Sequence, residues 1–162
     1  MRQKLFSALF SPEDLFQQGR KELWRFYDSA HYKRHLFLAQ KADPATAADL
    51  PATRDLLDTL AAHRDGCVGM AANMIGSHKR VIIAQLGPIP VVMFNPQLTS
   101  QSQPYQTEEG CLSLTSQRPT KRFKKITVQF YNQQWQRQEL TLTDFAAEIV
   151  QHELDHCNGV II

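Results

Sequence analysis

Residues 143–159, TDFAAEIVQHELDHCNG, constrain the fold more than any other segment of this chain. They read as one helix, with Thr143 at the N-cap and Gly159 closing the C-terminal end. Phe145, Ile149 and Val150 lead directly into two histidines and a glutamate, so the turn that carries these polar groups is expected to be buried. Buried imidazoles and carboxylates need partners. The rest of the chain must therefore cover this helix and also satisfy its polar side chains.

The middle of the chain supplies strands for that purpose. VIIAQL (81–86) and VVMFNPQL (91–98) are rich in β-branched residues and flank Gly87-Pro88, which predicts a hairpin. FKKITVQF (123–130) alternates, placing Ile126, Val128 and Phe130 on one face. QRQELTL (136–142) alternates through Leu140 and Leu142, joined to the previous strand by NQQW. Upstream, TAAD (46–49) has the pattern of a capping box. Leu50, Leu57 and Leu60 then share a helical face until Gly66, with Pro51 tolerable in the first turn. SPED (11–14) opens an earlier helix through Leu15, Phe16, Leu23, Trp24 and Tyr27. Helices, then strands, then one late helix predict an α+β fold, with small antiparallel sheets packed around the helix that carries HELDH.

Composition narrows the function. With 162 residues the chain is long enough for one domain with a real core. A net charge of +2 is too near neutral to argue for DNA or other nucleic acid. No apolar run approaches the roughly 20 residues that span a bilayer. The start, MRQKLFSALF, resembles a signal peptide, but Pro12, Glu13 and Asp14 interrupt it too early, so secretion is not expected. Three cysteines, an odd number, do not form a disulfide framework, and a reducing cytoplasm is the expected location.

His152 and His156 are four residues apart and so project from one helical face, a turn apart, where both imidazoles can reach one ion. Glu153 lies about 100° further round, placed to take a proton from water activated there. Two histidines leave a catalytic metal one protein ligand short. Cysteines and carboxylates are candidates; Cys111, in EEGCLSL (108–114) beside Gly110, suits better than Cys157, which diverges from its neighbour His156. The competing reading of Cys111 is a small buried hydrophobe. In GCVGMAANMIG (66–76), Gly69, Ala71 and Ala72 suggest backbone packed closely against something, or simply a tight turn entering a strand.

Taken together and in order, CVGMAANM (67–74), EGCLS (109–113) and HELDH (152–156) resemble the peptide deformylase family. The resemblance covers 36–162, leaving 1–35 as an N-terminal helical extension packed on the catalytic domain. It implies removal of formyl from the N-terminal methionine of new proteins. It also implies one divalent ion on Cys111, His152 and His156, ferrous iron natively, with zinc, nickel or cobalt able to replace it. Glu153 would be the general acid and base, and the Leu112 N–H would help hold the oxyanion. Gly69 would face the substrate, and Arg118 would lie beside the bound peptide. Met74 breaks the pattern, because it stands where the family has a glutamine that donates to the formyl oxygen, and methionine cannot donate. Asn73 is the nearest amide, although adjacent side chains usually point elsewhere. Cys67 likewise replaces the family's first loop glycine.

Met74 keeps two other readings open: hydrolysis of a different N-acyl amine, and a non-catalytic metal or peptide binder, which an intact Glu153 disfavours. Ile149, one turn before the ligands, is either part of a pocket for the methionine side chain or pure core. RPTKRFKK (118–125) could meet ribosomal RNA; its competing reading is a solvated edge strand whose lysines discourage pairing. The expected partners are thus nascent N-formylmethionyl peptides and, transiently, the ribosome.

Overall fold

The computed structural model describes residues 36–109 and 118–162. The helix expected over 11–27, the 1–35 extension, Cys111 and Leu112 lie outside the described residues. The labelled elements run α1 (Pro51–Ala62), β1 (Gly69–Ala71), β2 (Val81–Ala84), β3 (Val91–Glu109), β4 (Arg118–Tyr131), β5 (Arg137–Thr143) and α2 (Asp144–Cys157). The α+β expectation holds. The small sheets expected around the late helix are here one antiparallel sheet in the order β1-β2-β3-β4-β5.

The hairpin about Gly87-Pro88 forms with Val81 opposite Phe94 and Ala84 opposite Val91. Its second strand continues well beyond Leu98, as far as Glu109, which pairs with Arg118 at the start of β4. The segment at 69–71 is a short strand on the open edge of β2, with Met70 opposite Ile83. β2 is buried on both faces, which is why VIIA shows no alternation. Ile82 and Ala84 join the cluster around α2, while Val81 and Ile83 join Leu56 and Leu60 of α1. β4 is one-sided: Ile126, Val128 and Phe130 are buried as predicted, and they pack with Ile149, Val150 and Leu154 of α2.

Three local expectations change. The TAAD box is real, with the Asp49 carboxylate accepting from the Thr46 N–H at 2.7 Å, but it caps a separate 3-10 turn over Ala47–Asp49. The α-helix restarts at Pro51, whose fixed φ and missing N–H suit a first position. Phe145 is 46% exposed, so the first turn of α2 stands clear of the core, which begins at Ala147. Thr143 occupies the N-cap but makes no side-chain cap bond.

The other end of α2 is closed as the sequence suggests. Gly159 is left-handed at φ 75°, its N–H bonded to the His156 carbonyl and the Val160 N–H to that of Asp155. The glycine is also required by packing, since a Cβ there would lie 2.4 Å from the backbone oxygen of Ala39. Among the described residues no helix is long and apolar enough to cross a membrane. Strain and clash together predict that Gly159→Ala destabilises the protein by roughly 2–4 kcal/mol, read as a fall in Tm; an unchanged Tm would refute this account of the helix end.

Candidate functional site

α2 crosses the sheet with His152, Glu153 and His156 all inward, at 1%, 2% and 2% exposure. The His152 and His156 Nε2 atoms face each other 3.1 Å apart, with ring planes at 79°. Metal–nitrogen bonds of about 2.0–2.1 Å at a tetrahedral angle put two such nitrogens roughly 3.3 Å apart, so the pair fits a shared ion. Among the described residues no third His, Cys, Asp or Glu completes a ligand set.

Glu109, the last residue of β3, orients the first imidazole. Its Oε2 accepts from His152 Nδ1 at 2.8 Å, which leaves Nε2 as the lone-pair nitrogen aimed at the site. The same carboxylate is gripped in two-pronged fashion by Arg122, Nε to Oε1 at 2.7 Å and Nη2 to Oε2 at 2.8 Å. Arg122 Nη1 continues to Asp155 on α2 at 2.6 Å. Burial pushes the Glu109 carboxyl up, but hydrogen bonds from His152 and Arg122, with the Arg122 charge, outweigh it and hold the group below its ordinary value. Gln151 adds a second tie: its amide accepts from the Phe123 N–H at 2.9 Å and donates to the Phe123 carbonyl at 2.8 Å. Those backbone groups lie on the stretch of β4 before Lys125 that β5 does not reach.

β1 approaches the other flank of the helix. A Cβ on Gly69 would sit 2.7 Å from Glu153 Oε1 and 2.8 Å from Ile149 Cγ2, so only glycine permits this contact. Ile149 is 1% exposed and belongs to the core cluster, as its structural reading requires, while also walling the Gly69 strand. Asn73, 3% exposed, donates from Nδ2 to the His156 carbonyl at 2.8 Å, so its amide is turned to the helix backbone. Met74 packs against the α1 cluster. Cys67 Sγ donates to the Gly69 carbonyl at 3.1 Å; burial, with the nearby Glu153 charge, pushes its thiol up to about 12. Burial likewise drives the Cys157 thiol up to about 12.

Arg118 is exposed at the mouth of the β3–β4 hairpin, Nη1 lying 3.5 Å from the Ile161 carbonyl. The basic segment is not uniformly solvated, because Arg122 within it is 4% exposed. It is an edge only before Lys125, and Gln151 already occupies part of that edge. The sequence reading missed Glu109, Arg122, Asp155, Gln151 and Asn73 as supports of the site. One signal was present: Arg122 shares the parity of Ile126, Val128 and Phe130, the inward face of β4.

An HExxH helix laid across an antiparallel sheet, its first histidine held by a carboxylate and its glutamate packed on a glycine strand, defines an α+β protein of the metallohydrolase class. Comparison with known proteins narrows this. The family model for polypeptide deformylase matches residues 30–162. A peptide deformylase of Clostridium beijerinckii is 44% identical over 127 residues, covering 78% of this chain and 93% of that protein. Peptide deformylase 3 of Shewanella oneidensis is 34% identical, covering 76% and 79%. The crystal structure of the Thermotoga maritima peptide deformylase superposes with a TM-score of 0.68 at 33% identity, covering 77% of this chain and 87% of that one. That of the Vibrio parahaemolyticus bacteriophage VP16T, in complex with actinonin, gives 0.67 at 30%, covering 78% and 93%. The chain belongs to the peptide deformylase family.

Removing one partner of a buried pair strands the other. Glu109→Ala, which leaves Arg122 facing Asp155 alone, is expected to cost roughly 3–5 kcal/mol in denaturant unfolding, and Glu109→Leu with Arg122→Met to recover most of it. Because the Glu109 value is depressed on folding, its contribution is complete above the ordinary carboxylate value of 4.5 and is lost as pH falls through its lower folded value. The paired variant should therefore show a shallower acid loss than the wild type; an identical acid profile would exclude Glu109 as the source.

Proposed function

We propose that this chain removes the formyl group from the N-terminal formylmethionine of newly made proteins in the cytoplasm, with one divalent ion on Cys111, His152 and His156. The observation that carries the reading is the convergence of two imidazole nitrogens beside a buried Glu153, in a chain 44% identical to a protein named peptide deformylase. Cys111 lies two residues after Glu109, a chain reach of at most about 7 Å, and Glu109 touches His152. A thiolate with two imidazoles suits ferrous iron, our choice for the native ion, and also zinc, nickel or cobalt. When bound, the ion supplies a Lewis acid that polarises the formyl carbonyl and acidifies water.

The chain's own residues do the rest. Glu153 takes the proton from the attacking water at its carboxylate, the water oxygen bonds to the formyl carbon, and Glu153 returns the proton to the departing amine nitrogen. The C–N bond breaks to give formic acid and the methionyl amine, and the acid's proton passes to the amine, so that formate and the ammonium form leave. The Leu112 N–H supports the developing oxyanion. Gly69 lets β1 lie beside Glu153, Arg118 stands where the peptide continues, and Ile149 backs the methionine site from the core. Exposed Lys124 and Lys125 offer a surface for brief ribosome contact.

Met74 favours a second reading, hydrolysis of another N-acyl amine. Asn73, the amide next to Met74, is turned to the His156 carbonyl and so does not take the place of the family glutamine. The deciding assay is turnover of formyl-Met-Ala-Ser against acetyl-Met-Ala-Ser by iron-loaded protein handled without oxygen. Deformylation should dominate, and Glu153→Gln should retain the ion yet lose about 10²–10⁴-fold in kcat; preference for the acetyl peptide would establish the second reading.

Met74 also makes a quantitative prediction. An oxyanion donor strengthens as charge develops, so Met74→Gln should raise kcat more than it changes KM. The gain should fall short of the roughly 10²–10³-fold lost on deleting such a donor, because the surroundings are not shaped for glutamine. An enzyme left poor and unchanged, or made worse, would mean that deformylation is not its evolved task and would favour another N-acyl substrate.

A further inference from the structure

The face of α2 turned away from the histidines holds a second cleft. Gln151, Leu154, Asp155 and Asn158 recur at i, i+3, i+4 and i+7, opposite the stripe of Ile149, His152, Glu153 and His156. Between this stripe and the β3–β4 hairpin lies a space of about 220 Å³, reached by Arg80, Lys121, Arg122 and Phe123. It is smaller than the roughly 300–1,000 Å³ that accommodates drug-sized ligands.

Its charge is unbalanced. Asp155 is the one carboxylate in the lining, and it is committed to Arg122, which Glu109 also holds. Among the described residues Arg80 is fixed in place by neutral acceptors alone, Nε on the Pro96 carbonyl at 3.0 Å and Nη1 on Asn158 Oδ1 at 2.8 Å. Lys121 Nζ lies 5.5 Å from the centre of the Phe123 ring. Among the described residues neither Arg80 nor Lys121 forms an ion pair. Phe123 and Leu154 add apolar wall between these cations. A pre-positioned guanidinium and an ammonium beside an aromatic ring select an anionic head on a short apolar body.

The geometry points to this cleft as a binding site for a small organic anion, a carboxylate or a phosphate monoester, held by Arg80 and Lys121. It lies on the opposite face of the same helix from the histidines and shares Arg122 and Asp155 with the network that holds Glu109, while the anion contacts come from Arg80 and Lys121, which take no part in that network. Anion binding is read without turnover, so its failure and that of the catalytic reading are distinguishable.

The test is an NMR titration of the zinc-loaded full chain with butyrate and with monobutyl phosphate, against chloride at matched ionic strength. Backbone amides of Phe123 and Asn158 report on the cleft. Saturable shifts are expected with at least one of the two anions and not with chloride. Lys121→Gln and Arg80→Gln should each weaken binding about tenfold, the loss of one charge-assisted bond. Lys121 is exposed, with its ammonium over the Phe123 ring, so its variant remains informative if Arg80→Gln perturbs the fold. Tighter binding of the phosphate would assign a phosphate-bearing ligand, and tighter butyrate a carboxylate. Shifts that do not saturate, or affinities unchanged in Lys121→Gln, would overturn the site.

Discussion

Glu109 joins the end of the longest strand to the helix that carries the chemistry. One carboxylate accepts from His152 and from two nitrogens of Arg122, all at 4% exposure or less. Burying three ionisable groups is expensive unless each is bonded, and the two-pronged guanidinium geometry meets that condition. The register of β3 against β4 is what brings it about, since Glu109 opposes Arg118 and Arg122 follows four residues later on an inward position. A slip of one residue would turn both side chains to solvent and release His152.

The opposite flank is controlled by size rather than charge. β1 and β2 are buried on both faces, so their side chains must fit α1 and α2 at once. Gly69 has room for no Cβ, and its absence is what allows backbone to pass beside Glu153. The carboxylate is thereby held between an apolar strand and its own helix, and its charge is felt by the buried Cys67 thiol. Asn73 closes the same flank through the His156 carbonyl. The loop after β1 thus braces the helix at His156.

Several features were legible in the sequence for physical reasons. Period-two alternation gave away β4, because only one face of that strand is covered, and the Gly-Pro pair marked the β2–β3 turn. The i, i+4 histidines placed two ring nitrogens on one face before any packing was known, and Gly159 marked a helix end that needs positive φ. Strand 69–71 was not legible as such, because three residues are too few to show a period and small side chains read equally well as a turn.

The sequence by itself determined the α+β class, the order of the longer elements and the two histidines that share one face of the late helix, since periodicity and spacing are local properties of a chain. It did not determine which residues hold them there. Glu109 meets His152 across 43 residues, Asn73 meets His156 across 83, and Arg122 looked like one more cation in a basic run. Those choices belong to the tertiary structure, because the cost of burying a charge depends on partners that only strand register and helix packing bring within hydrogen-bond reach.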